Sequence, residues 1–146
     1  MPVLMLDVAN RVFCMGQAEV VRKGGDVTLI ACGTTVHLAG AAHLLSGQGI
    51  SAQEVNMATL NPLDDADVLA AAEEVGAIVT VEEASVRGGL GGAVAELTAA
   101  NLPVPVERVG LPGFVPTGSV DRLFREYGLT PEGIAAAAHR ALKRVR

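Results

Sequence analysis

The chain has 146 residues, a formal net charge of -5 and a composition that is 50% hydrophobic, with a mean hydropathy of +0.40. That length suits one compact domain able to bury roughly two thirds of the surface its unfolded form exposes, and the hydrophobic fraction excludes intrinsic disorder. Acidity and a 3% aromatic content without tryptophan argue against nucleic acid, because phosphate contacts and stacking platforms are both missing.

The opening "MPVLMLDVANRVF" has no basic leader, and Asp7 interrupts its apolar run. No secretory signal is expected there, and no stretch reaches membrane-spanning length. Cys14 and Cys32 are expected to be reduced thiols of a cytoplasmic protein. Residues 1–17 read as an arm or interdomain linker, and residues 18–146 as the domain.

Beyond the arm, Ala18 to Arg22 is β-rich, and Lys23-Gly24-Gly25-Asp26 supplies turn residues suited to a hairpin or tight reversal. Val27 to Ala31 is continuously apolar, as a strand buried on both faces requires. Gly33 breaks it, and Thr34 or Thr35 is placed to cap a helix through "VHLAGAAHLLSG", ended by Gly47 and Gly49. "ISAQEVNM" forms a second strand of this alternation and "AIVTVEE" a third, with a helix between them that opens on Asp64, Asp65 and Asp67.

"GLGGAVAELTAAN" is predicted to be the next helix and "PVPVERVG" an edge strand, since Pro103 and Pro105 cannot donate to a ladder. Ser119 and Thr130 are candidate caps of the last two helices, and Arg140, Lys143, Arg144 and Arg146 form a solvated cationic end. Strands alternating with helices predict a mostly parallel α/β sheet covered on both faces, with the first run as an antiparallel addition.

Four glycines (Gly88, Gly89, Gly91 and Gly92) follow Glu82 and Glu83 between the third of these strands and its helix. A dinucleotide fingerprint fails on spacing, because Val94 or Leu90 stands where a glycine is needed, and no Walker lysine follows. Adjacent carboxylates on a strand point to opposite faces. One is therefore expected to turn inward onto loop amides and the other outward.

Cys32 lacks the arginine of a phosphatase loop and is expected to be a buried, inert thiol. His37 and His43 are six residues apart and share no ligand-bearing helix face. With His139, they are expected to be surface or half-buried polar residues.

The order of segments resembles the C-terminal domain of transketolase and of its thiamine-diphosphate-dependent relatives, deoxyxylulose-phosphate synthase and the β-subunits of 2-oxo acid dehydrogenases. The resemblance spans residues 16 to 142. It rests on Gly25-Asp26-Val27-Thr28-Leu29-Ile30, Gly49-Ile50-Ser51, Asn61-Pro62-Leu63-Asp64, Val81-Glu82-Glu83 with Gly88-Gly89-Leu90-Gly91, and Tyr127-Gly128-Leu129-Thr130. Ala84 departs from the family's usual histidine and Gly113 from its usual aspartate.

The resemblance implies a three-layer α/β/α fold with a five-stranded, mostly parallel sheet and one antiparallel strand. It also implies that thiamine diphosphate and magnesium are held by the diphosphate- and pyrimidine-binding domains of the intact enzyme, since the motifs of those domains are missing from this sequence. No catalytic, cofactor-binding or metal-ligating residue carries over. What remains is a candidate domain or subunit interface at Glu82, Glu83, Gly88, Gly89 and Gly91, with the catalytic domains and a second copy of the chain as expected partners. A free-standing interaction or regulatory module of the same fold is the alternative, as is a domain of a synthase or dehydrogenase β-subunit.

Overall fold

The computed structural model describes residues 12–145, excepting the side chains of residues 36–39. His37 and residues 1–11 of the expected arm therefore lie outside the described parts. Five strands form one sheet: β1 (Glu19–Arg22), β2 (Val27–Ala31), β3 (Ala52–Asn56), β4 (Ile78–Ser85) and β5 (Val106–Leu111). Their spatial order is β1-β3-β2-β4-β5, with β1 antiparallel to β3 and the remaining pairs parallel.

Strand composition agrees with that order. All five residues of β2 are buried, so β2 must be flanked on both edges and covered on both faces. In β1, half-buried and exposed residues alternate, which suits an edge. The expected hairpin at Lys23–Asp26 is accordingly not formed. β1 pairs with β3, and the turn instead clasps the start of β3: Gly25 N and Asp26 N donate to Ser51 O at 3.1 and 2.8 Å. Ser51 N returns a bond to Asp26 Oδ2 at 2.6 Å.

Helices cover both faces. A 3-10 helix (Gly33–Gly40) leads into α1 (Ala41–Ser46), followed by α2 (Asp65–Glu74), α3 (Leu90–Asn101), α4 (Val120–Glu126) and α5 (Pro131–Leu142). One core packs Leu29, Val79 and Val81 of the sheet against Leu45 of α1 and Ile134 and Ala138 of α5. The other packs Ile30, Val55 and Ile78 against Val68 of α2 and Leu90 and Val94 of α3. This is the three-layer arrangement expected from sequence.

Local chemistry sets the helix starts. Asp64 caps α2 by accepting from Asp67 N at 3.1 Å, and Thr130 caps α5 by accepting from Gly133 N at 3.1 Å, with Pro131 in the first turn. Ser119 caps α4. Neither Thr34 nor Thr35 caps α1, whose N-cap is Gly40 without a side-chain bond. Both threonines have turned back to the sheet edge, where the candidate site lies.

Candidate functional site

β2 leads to β3 on one side of the sheet, whereas β4 leads to β5 on the other. The carboxyl ends of β2 and β4 are thus the topological switch point, the crevice where open α/β sheets place ligands. Here two buried side chains bond to the backbone around it. Thr35, fully buried, directs its hydroxyl at both Cys32 O (2.6 Å) and Val81 O (2.8 Å), bridging the two strand ends.

From the α3 side comes Glu82, 1% exposed. Its carboxylate accepts from Leu90 N at 2.8 Å and from Gly91 N at 2.9 Å. Those amides begin a twelve-residue helix, and free amides with the helix dipole would otherwise attract an anion. Glu82 holds the place that a phosphate would take. The expected inward carboxylate is Glu82, and the outward one is exposed Glu83, which accepts from Thr34 Oγ1.

Sequence-distant residues complete the edge. Gly88 adopts a left-handed φ of +77°, and a β-carbon at Gly89 would overlap the Glu82 carboxylate. Arg108 of β5 donates from Nη1 to Val86 O at 2.9 Å, and Val86 N donates to Leu111 O at 3.0 Å, so the glycine loop is tied to the edge strand. Of the five candidate interface residues, Glu83 and Gly88 are exposed, Gly89 is half-buried, and Glu82 and Gly91 are buried.

Cys32 is half-buried, not buried as expected. Burial pushes its thiol up, and neighbouring Glu82 pushes it further. It therefore stays protonated at neutral pH, which makes it a poor nucleophile. His43 is exposed, while half-buried His139 has Nε2 at 2.6 Å from Gln48 Oε1. Arg140 and Arg144 of the cationic helix end reach Glu107 at 3.0 and 2.9 Å. Among the described residues no three His, Cys, Asp or Glu side chains converge as a metal site needs, and no helix is long and apolar enough to cross a membrane.

Thr35 and Arg108 were not legible as parts of this edge. Both act through backbone carbonyls brought close only by the sheet, and no local spacing encodes that.

Fold and site together define a class: a three-layer α/β domain whose switch-point backbone groups are bonded by its own Glu82 and Thr35. The chain belongs to the transketolase C-terminal domain family, whose model matches residues 16–134. It is 45% identical over 145 residues to the 6-deoxy-6-sulfo-D-fructose transketolase subunit of Clostridium sp. (strain MSTE9), covering 98% of this chain and 45% of that subunit. A 1-deoxy-D-xylulose-5-phosphate synthase of Symbiobacterium thermophilum is also 45% identical, over 97% of this chain and 22% of the synthase. Among solved structures, one described as a split-gene transketolase, an inactive beta4 tetramer, superposes with a TM-score of 0.93 at 37% identity, over 100% of this chain and 48% of that one. The chain spans less than half the length of these relatives.

Proposed function

We propose that this chain is the C-terminal, non-catalytic part of a thiamine-diphosphate-dependent transketolase. The enzyme would move two-carbon ketol units between sugar phosphates, the chemistry of pentose phosphate interconversion, in the cytoplasm. The carrying observation is the pairing of a match over 98% of this chain to part of a transketolase subunit with a switch point whose helix-start amides and strand-end carbonyl are bonded by the chain's own Glu82 and Thr35.

The residues present do not fit the cofactor. The amides that could hold its diphosphate are bonded to Glu82, and exposed Glu83 adds a second negative charge beside them. Cofactor, magnesium and reacting sugars belong to the diphosphate- and pyrimidine-binding domains, supplied by the same chain or by a separate subunit. In this reading residues 1–17 link the domain to them, and residues 18–146 form it.

Glu83, Gly88 and Gly89 form the surface those domains or a second copy pack against, and Glu82 and Gly91 shape it from beneath. The chain mixed with a fragment carrying both missing domains is expected to restore ketol transfer, with neither part active alone. Turnover by the isolated chain would contradict the proposal. The match to a synthase favours deoxyxylulose-phosphate synthase as a second reading, and comparing acceptor substrates of the restored enzyme separates the two.

A further inference from the structure

Where the arm meets the domain, the backbone is held by a small, specific set of contacts. Cys14 to Gln17 makes a turn closed by Gln17 N donating to Cys14 O at 3.2 Å, with Gly16 at its third position at φ +76°, a conformation that favours glycine there. Gly16 N donates to Thr59 Oγ1 at 2.9 Å, and Thr59 Oγ1 in turn donates to Pro62 O at 3.1 Å. Ala18 N donates to Asp64 Oδ2 at 2.8 Å, while Oδ1 of the same carboxylate caps α2. Gly16 lies so close to the Pro62 ring that a β-carbon there would sit 2.9 Å from Cγ.

In and just before this anchored turn, three large apolar side chains are uncovered: Val12 is 87% exposed, Phe13 67% and Met15 72%. Three exposed large apolar side chains within four residues, next to backbone fixed by contacts 43 and 46 residues away in sequence, offer apolar area that a partner would cover. The family match begins at Gly16, where the anchoring begins, and the chain spans 45% of a related subunit. The partner is therefore sought in the part of the enzyme that this domain lacks.

We propose that the loop of residues 59–64 is a socket for Gly16–Ala18, fixing the line along which the arm leaves the domain so that Phe13 and Met15 seat in an apolar surface of a neighbouring catalytic domain. The socket stands on the contacts above, and the seating rests on the transketolase reading. Thr59 is the position through which to test it, because valine keeps its size and removes both hydrogen bonds.

Amide exchange on the full chain reads the socket, and assembly with a fragment carrying the two catalytic domains reads the seating. Gly16 and Ala18 amides are expected to be protected, with Thr59→Val speeding exchange at Gly16 about tenfold while amides of β2 and β4 are unchanged. The Phe13→Ala/Met15→Ala variant is expected to keep its melting temperature and weaken assembly about tenfold or more. Unprotected Gly16 and Ala18, or a Thr59→Val variant indistinguishable from wild type, overturns the socket. Undiminished assembly of the Phe13→Ala/Met15→Ala variant overturns the seating. Failure of the wild-type chain to assemble at all removes both the named partner and the transketolase reading, and the exchange data still decide the socket.

Discussion

Burying a carboxylate costs several kcal/mol unless charge-assisted hydrogen bonds replace its water, and Glu82 meets that condition with two amides at the positive end of α3. Replacing Glu82 by Gln keeps the shape but turns one acceptor into a donor facing an N–H. The expected loss is about 2–3 kcal/mol of unfolding free energy in urea titration; an unchanged midpoint would show that the carboxylate is not what fastens the helix start. Thr80, one turn of the strand pattern earlier on the same face, is fully buried with its hydroxyl unpartnered. Thr80→Val removes a polar atom that gains nothing in the fold, so stability is expected to stay level or rise by about 1 kcal/mol. A loss of stability instead would reveal a bond to this hydroxyl.

At the scale of elements, the close approach of α3 to β4 and β5 is set by one glycine of the cluster and not by its neighbour. A β-carbon at Gly91 would lie 2.8 Å from Thr80 Oγ1 and 2.8 Å from Arg108 Cγ, whereas one at Gly92 meets nothing within 4 Å. Gly91→Ala is therefore expected to cost about 1–3 kcal/mol, and Gly92→Ala to stabilise by up to about 1 kcal/mol through helix propensity. Equal effects in thermal melts would mean that the cluster serves only to bend the chain. The sequence made the existence of this crossover legible, because the apolar run of β4 and the start of α3 are local patterns. The same holds for the buried β2 and the caps Ser119 and Thr130. Strand partners were not local: the turn at Lys23–Asp26 looked like a hairpin, whereas in the sheet β3 lies between β1 and β2. Thr34 and Thr35 misled for the same reason. Their hydroxyls find carbonyl and carboxylate partners on β4, and such partners outcompete a cap at the helix that follows.

For the whole molecule, pH gives a signed test of how the charges are carried. Burial raises Asp67, and Asp64 and Glu74 raise it further; burial raises Glu54 against the opposing pull of Arg22. An acid whose folded pKa exceeds its unfolded value binds its proton more tightly in the folded state. Ionisation of Asp67 therefore costs stability at neutral pH, and that cost is relieved as pH falls through its folded pKa toward the ordinary value of 3.8. Asp67→Asn is expected to remove this part of the slope in a series of urea titrations from neutrality down to that region. An identical slope in both proteins would contradict the assignment.

The claim that a domain whose helix-start amides are bonded to its own Glu82 serves a thiamine enzyme without holding the cofactor is tested most directly by calorimetric titration. Thiamine diphosphate and magnesium would be titrated into the chain alone, and then into the chain mixed with a fragment carrying the two catalytic domains. Heat of binding is expected only in the mixture. Saturable binding by the chain alone would mean that Glu82 yields its amides to a diphosphate, and the crevice would have to be read as a cofactor site.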